Sequence, residues 1–369
     1  MFKKLAAISI AVLTIGMPAH ADDLKSMSWD QIVAQAKKEG EVRWFNWFNQ
    51  ARFREEVKAF ETEYGIRVTI PDGDSKANIN KFLAEKDRPQ GDIDVFSTSG
   101  SELKKLSPET TYYGPLDKLL PEGKKLRYDL EGFKNGGFAA AFWGNQSGIA
   151  YDSSRITDAD LPRTVEQFST FIENHPGELG FNVENGGAGP AFIQGIARQF
   201  APDVDYASGT TDAAVEKKFG PAWDWFSKRK DQFVITASNN DSVTRLTSGE
   251  FTIVAAWEDV IAALKKRGEI PATVKIYVPD FGMPGGGNVV GIPANAKNKA
   301  AALVFIHWLT SAKTQTRFAS EFGSVPQNPD ADATVALVKV QERRSSFNWA
   351  AQPLNDDIKN QFIKNVTLR

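Results

Sequence analysis

The sequence predicts an α/β protein built from two domains, and three observations carry the prediction. The chain has 369 residues, too many for one simple core at roughly 100–200 residues per domain. Its composition, 41% apolar and 24% charged, is that of an ordinary globular chain and excludes disorder and collagen-like repetition. Short apolar runs of strand length alternate with amphipathic helical segments, the rhythm of a mostly parallel sheet with helices on its faces.

Residues 1–21 read as a cleavable export signal. Lys3 and Lys4 form a positive head, Leu5 to Met17 is a 13-residue apolar run, and Ala19-His20-Ala21 supplies a small-x-small cleavage pattern. A membrane-spanning helix needs about 20 apolar residues, so this run is too short for an anchor. No cysteine follows it to carry a lipid. The expected location is the periplasm, with the mature chain more acidic than the formal net charge of -2 once Lys3 and Lys4 are removed.

The elements then follow in order. Ser28 with Gln31 makes a capping box, opening a helix that Gly40 ends. Val42 to Phe48 has the unbroken apolar character of a buried strand. A helix spans about Arg52 to Tyr64, with Phe53, Val57 and Phe60 on one face, and Gly65 stops it. Ile66 to Ile70 reads as strand, Lys81 to Lys86 as helix, and Ile93 to Phe96 as strand. Between Pro115 and Gly137 the pattern loosens. Phe138 to Tyr151 is a second apolar stretch, and from Pro162 the alternation restarts. Helices are expected near Val165–Glu173, Ala191–Phe200 and Ala213–Lys228, a short one at Ser242 to Ser248, a strand at Phe251 to Ala256, and an apolar helix from Lys299 to Leu309. The arrangement fits two α/β units joined by more than one crossover.

Composition removes several functions. The acidic balance excludes a broadly basic nucleic-acid binder, and the absence of cysteine excludes disulfides, thiolate metal sites and a cysteine nucleophile. After the signal only His175 and His307 remain. His307 sits in a helical apolar run and reads as packing; His175 precedes Pro176 in a loop without a nucleophile pattern. No clustered metal ligands, no Walker loop and no dinucleotide fingerprint are present. No catalytic residue, metal or cofactor is expected.

Binding is better supported. In open α/β sheets, ligands lie beyond the carboxyl ends of the strands. Asn46, Trp47 and Phe48 follow the first strand, and Ser97, Thr98 and Ser99 follow the strand ending at Phe96. Trp143, Asn145 and Gln146 offer a ring and two amides on a crossover strand. Gly187, Ala188 and Gly189 precede a helix whose N-terminus favours an anionic or carbonyl oxygen, unless the glycines are an ordinary turn. Trp257, Glu258 and Asp259 place a ring and two carboxylates at a strand end, to meet a ligand cation or to cap the next helix. Exposed rings there would stack on a planar or cationic ligand, or else Trp47 and Phe48 are simply core.

These residues resemble a known family, the periplasmic substrate-binding proteins of ABC importers (extracellular solute-binding family 1). The resemblance covers essentially the whole mature chain. Its most specific stretch is Gly291-Ile292-Pro293-Ala294-Asn295-Ala296-Lys297-Asn298-Lys299 with the helix to Leu309, continued by Gln315 and Gly323-Ser324-Val325-Pro326. Leu246-Thr247-Ser248-Gly249-Glu250, a strand and Trp257 form a second hallmark. Phe45-Asn46-Trp47-Phe48 is similar to the first strand and loop of the spermidine/putrescine-binding branch, and the overall look resembles most the branch of thiamine-transport components.

The resemblance implies a type II two-lobed fold, with ligand in a cleft between lobes and hinge crossovers joining them. Lobe 1 would comprise 22–148 plus 289–330 and lobe 2 149–288 plus 331–369. It implies a monomer that captures a small molecule by hinge closure and docks transiently on a membrane permease. In polyamine binders a Trp and an Asp precede the Ile-Pro motif; here Pro284-Gly285-Gly286-Gly287-Asn288-Val289-Val290 has neither, and Asn288 is the candidate ligand contact in it. Iron is not expected, since the only tyrosine pair, Tyr112-Tyr113, lies well before the position iron binders use. The expected ligand is a small organic cation, thiamine or a related compound. An organophosphate, a zwitterion or a polyamine is the alternative in the same role, and a secreted enzyme on the same fold is the alternative of a different class.

Overall fold

The computed structural model describes residues 23–130, 133–334, 336–339 and 341–368. The expected export signal lies outside them. Ten strands form one continuous mixed sheet: β1 (Glu41–Phe45), β2 (Arg67–Thr69), β3 (Val95–Thr98), β4 (Tyr112–Tyr113), β5 (Ala139–Asp152), β6 (Leu179–Asn182), β7 (Phe233–Thr236), β8 (Ile253–Trp257), β9 (Val274–Tyr277) and β10 (Gly285–Pro293). Their order is β2-β1-β3-β10-β5-β8-β6-β7, with β4 on β10 and β9 on β5.

Each end of the sheet is parallel, β2-β1-β3 at one and β7-β6-β8 at the other. The pairings that join the ends are antiparallel, so the sheet is mixed rather than mostly parallel. Two strands cause this by belonging to both halves. The first part of β5 pairs with β10, from Ala139 with Gly291 to Gln146 with Gly285; Ser147 to Tyr151 then pair with β8. β10 lies on β5 through Asn288, is bulged at Asn288/Val289, and from Val289 lies on β3. The chain crosses behind these strands once more near its end, where Val325 N donates to Gly144 O (2.8 Å) and Gly285 N to Phe347 O (3.2 Å).

Two lobes with separate cores flank these crossings. The first packs Trp44, Phe53, Phe142 and Trp143 under the Lys299–Thr310 helix, with Trp44 and Phe53 edge to face at 4.9 Å, and adds a smaller cluster around Phe82, Phe96 and Tyr112. That helix is apolar on nearly every face because nearly every face is covered; His307, its half-buried exception, meets the Trp29 ring at 5.0 Å. The second core gathers Phe168, Phe181, Phe192 and Phe226, joined by Leu354, Ile358 and Phe362 from the C-terminal helix.

The local signals behave as their chemistry requires. Ser28 and Gln31 form both halves of the capping box, and Gly40 closes that helix in the left-handed region. Other boundaries move. The first strand stops at Phe45, and the Arg52–Tyr64 segment is two helices meeting at Val57. The helix expected at Lys81 starts at Ser75, because the Asp74 side chain accepts from Ala77 N. The helix expected at Ala191 starts at Ala188, Pro190 being tolerated in its first turn. The segment from Ala213 to Lys228 is broken around Phe219 and Gly220.

Candidate functional site

A cleft of about 620 Å³ lies between the lobes, over the crossing strands. Lobe 1 supplies Trp47, Phe48 and Ser99; the crossing strands supply Trp143, Asn145 and Asn288; lobe 2 supplies Gly187, Trp257 and Asp259. All nine are among the residues singled out in the sequence, and the loops carrying them follow the carboxyl ends of β1, β3, β6 and β8 or lie on the crossings.

Lobe 1 presents a graded aromatic wall. Trp47 is 37% exposed, and its indole Nε1 donates to Asn288 Oδ1 at 3.0 Å, tying the loop after β1 to a crossing strand. Phe48 is half-buried between Trp47 (5.2 Å) and Trp143 (5.1 Å), so Phe48 and Trp143 are both core and cleft lining. Ser99 caps the helix after β3, accepting from Glu102 N at 3.2 Å.

Seven other candidates do not line the cleft. Asn46 is fully buried and donates to Phe48 O, shaping the loop from inside. Ser97 and Thr98 lie within β3, and Ser97 Oγ accepts from Trp44 Nε1 at 2.6 Å in the lobe 1 core. Gln146 turns to the opposite face of β5, where its Oε1 accepts from Ser346 Oγ at 2.6 Å and it borders a separate cavity of about 280 Å³. The alternation of side chains along a strand turns it away from the cleft, whereas Asn145 borders both cavities. Ala188 and Gly189 are buried helical residues; a side chain at Gly189 would collide with Asn182 O.

The anion reading of the glycine turn loses its donors. Ala188 N donates to Asn239 Oδ1 (3.2 Å), Gly189 N to Asn182 Oδ1 (3.1 Å), Pro190 has no N–H, and Ala191 N donates to Gly187 O (2.9 Å). Side-chain amides thus occupy the place a phosphate would take.

The seventh is Glu258, which parts company with its neighbour. It is buried, and its Oε2 accepts from Arg343 (2.6 Å) and Val338 N (3.3 Å) of the last crossing segment. Burial pushes its carboxyl up to about 7 even so, because desolvation outweighs the Arg343 charge and hydrogen bonds. Asp259 instead lines the cleft. Burial raises its carboxyl as well, opposed by hydrogen bonds from Asn145 and Val260 N and by the more distant Arg52 charge. Among the described residues no lysine or arginine comes within ion-pair distance of Asp259. The other cleft carboxylates include Glu102, paired with Lys105 (2.7 Å), and Glu184, within 3.6 Å of Lys359.

Residues the sequence reading missed complete lobe 2's side. Trp349, Gln352, Asn355, Asp356 and Lys359 come from the C-terminal tail. The Trp349 ring lies 6.3 Å from Trp257 with 31° between planes. Tyr112 and Tyr113 lie in β4 on the far end of β10, away from the cleft. Among the described residues no group of three or more metal-ligating side chains is present, and no helix is long and apolar enough to cross a membrane.

Comparison with known proteins agrees with this architecture. The family of bacterial extracellular solute-binding proteins matches residues 55–343. The Probable ABC transporter periplasmic-binding protein y4fP of Sinorhizobium fredii is 24% identical over 254 residues, covering 68% of this chain and just under two thirds (64%) of that one. The putrescine-binding periplasmic protein SpuD of Pseudomonas aeruginosa is 26% identical over 345 residues, 90% of this chain and 84% of that one. Among solved structures, iron-bound HitA of Pseudomonas aeruginosa aligns with a TM-score of 0.64 at 19% identity, covering 88% of this chain and 99% of that one. PotD of Streptococcus pneumoniae aligns at 0.63 and 12% identity, covering 88% and 98%. Likeness at such identities speaks for the fold alone. With the family match spanning most of the chain, two lobes and a cleft between them, this protein belongs to the bacterial extracellular solute-binding proteins.

Proposed function

We propose that the protein captures a small organic cation, thiamine or a related compound, and presents it to an inner-membrane permease. The observation that carries the reading is Asp259, a carboxylate in the cleft wall with no lysine or arginine at ion-pair distance among the described residues, two positions from Trp257. An unneutralised, partly desolvated carboxylate gains most from a ligand that brings a positive charge. Indole faces add a cation–π attraction of about 0.5–2 kcal/mol. The amide-blocked helix start at Gly187–Gly189 speaks against a phosphate or carboxylate anchor there.

In this reading the lobes, 22–148 plus 289–330 and 149–288 plus 331–369, close on the ligand by bending at the crossings, and the closed monomer docks on the permease. The export signal delivers the chain to the periplasm, and the protein turns nothing over. A polyamine is the second reading, favoured by the similarity to putrescine-binding SpuD and opposed by the segment 284–290, which has neither the Trp nor the Asp that polyamine binders carry before the Ile-Pro motif.

A thermal-shift screen decides between them, with thiamine and its phosphates, choline, polyamines, amino acids and sugar phosphates. A ligand specific for the folded state adds about 2.7 kcal/mol at a hundredfold excess over its Kd. A shift with thiamine or choline, lost in Asp259→Asn, is the expected result. A shift confined to putrescine selects the polyamine reading, and one confined to phosphate esters overturns the cation reading. Turnover by the purified protein overturns the binding role.

A further inference from the structure

We infer that the C-terminal segment from Trp349 to Lys359 is a ligand-reading wall of the cleft, with Trp349 a specificity-determining ring and Gln194 its positioning residue. The inference rests on the cation reading and extends it to a part of the chain outside the strand-end loops.

The tail's place is built, not incidental. Gln194, buried in the Ala188–Phe200 helix, accepts from Ala350 N at 2.8 Å and donates its Nε2 to Asn355 Oδ1 at 3.0 Å, so one side chain holds both ends of the segment carrying Gln352. One helical turn on, the Arg198 guanidinium lies over the Tyr206 ring (3.8 Å) and the Phe347 ring (4.1 Å) and donates to Asn348 O at 2.9 Å. Ala351 N donates to Tyr206 O at 2.7 Å. The residues on either side of Trp349 are therefore anchored to lobe 2.

Beyond them the Leu354–Phe362 helix buries Leu354, Ile358 and Phe362 in the lobe 2 core. Helical geometry then leaves Asn355, Asp356 and Lys359 together on another face, and that face borders the cleft. Lys359 is engaged by Glu184 at 3.6 Å, and Asp356 is exposed and adds negative charge beside the Trp pair. Under the rings lies Gly286: a Cβ there would sit 3.4 Å from Trp257 and 3.9 Å from the Trp349 indole nitrogen, so the strand leaves the floor beneath both rings without a side chain.

Two indoles and a carboxylate over a bare floor suit a cation with a flat or alkylated body, and favour it over a slender aliphatic amine. Among such cations the rings read the body while Asp259 reads the charge.

The test titrates the purified protein with thiamine, choline and putrescine, following heat. Trp349→Ala should weaken thiamine binding at least about tenfold, while Trp349→Phe stays within about threefold of the parent. Gln194→Met should also weaken it, and should add nothing in a Trp349→Ala background, because both act through one ring. If Trp257→Ala weakens thiamine binding and Trp349→Ala leaves it unchanged, the tail wall is wrong and the cation reading stands. If neither thiamine nor choline binds the unaltered protein, both fall. Should Trp349→Ala unfold, Trp349→Phe is set against Trp349→Leu, which fills similar space without a ring; equal affinity for thiamine overturns the inference.

Discussion

The two walls of the cleft are made differently. Lobe 1's wall is local: Trp47 and Phe48 follow β1, Ser99 follows β3, and one long-range bond, Trp47 to Asn288, fixes the outermost ring. Lobe 2's wall is assembled from four separate stretches, the Val183–Gly187 loop, Asn239, the Trp257–Asp259 strand end and the tail from Trp349. It is also held from behind, by Asn182 and Asn239 on the glycine turn, Arg343 on Glu258, and Gln194 on the tail. A wall of local loops can drift with its own residues, whereas a wall of interlocked pieces is stiff and fails as a unit. In the proposed cation reading, lobe 2 sets fit and charge and lobe 1 supplies an aromatic cover.

The stiffness is broken most severely at Gly189. A methyl group there meets the Asn182 carbonyl, which is backbone and cannot rotate away. Gly189→Ala is expected to destabilise the protein by about 3 kcal/mol or more, at the upper end for an overpacked site. Chemical denaturation measures it. A loss under about 1 kcal/mol would show that the turn gives way easily and that lobe 2 is no stiffer than lobe 1.

Glu258 tests the lock behind the wall. Its pKa is raised to about 7 from 4.5, so the folded state holds a proton that the unfolded chain releases sooner. This contribution to stability is full below about pH 4.5 and is lost as pH rises through 7. Glu258→Gln mimics the protonated form. It should melt with the parent near pH 4 and be the more stable of the two at pH 8, by up to about 3 kcal/mol. The opposite trend, a variant weaker at pH 8 than at pH 4, would mean that the Arg343 pair exceeds the desolvation penalty and is the true lock.

How much of this was legible in the sequence follows the same division. Trp47, Ser99 and Trp257 were readable because a strand followed by a helix fixes where the strand's carboxyl end lies. Lobe 2's tail was not, since its amphipathic helix shows a core face at Leu354, Ile358 and Phe362 but nothing in 354–362 says which cavity the opposite face borders. That depends on Gln194, more than 150 residues away. Glu258 and Asp259 were readable as a pair at a strand end; which one faces the cleft turns on where the next helix begins, and it begins at Glu258. The anion site failed for a related reason: Gly186–Gly189 has the composition of a phosphate loop, and only the fold brings Asn182 and Asn239 onto its N–H groups. The parallel rhythm at each end of the sheet was correct locally and a crossover at Trp143–Gln146 was expected, yet the rhythm held no sign that β5 and β10 pair antiparallel and join both ends into one sheet.

The difference between the walls should appear directly in affinity. Trp257→Ala, at a ring backed by Trp349 and adjacent to Asp259, should weaken binding of the cation found in the screen by about 2–3 kcal/mol. Trp47→Ala should cost about 1 kcal/mol, because that ring is 37% exposed and is the more peripheral contact. Titration calorimetry on both variants gives the ordering. If the losses are equal or reversed, lobe 1 is a full recognition wall and not a cover.

The smallest effect probes how lobe 1's outer ring is held. Trp47→Phe keeps an aromatic face but removes the indole N–H that donates to Asn288 Oδ1, and Asn288→Ala removes the acceptor. Each should weaken ligand binding by about 0.5 kcal/mol, the low end of the net worth of one hydrogen bond. If the bond is what orients the ring, the two changes act on one interaction, and the double variant should lose little more than either single one. Full additivity would mean that Asn288 touches the ligand itself and that Trp47 is oriented by Phe48 alone. The crossing strand would then be part of the recognition surface, and lobe 1's cover would be free to move independently of the hinge.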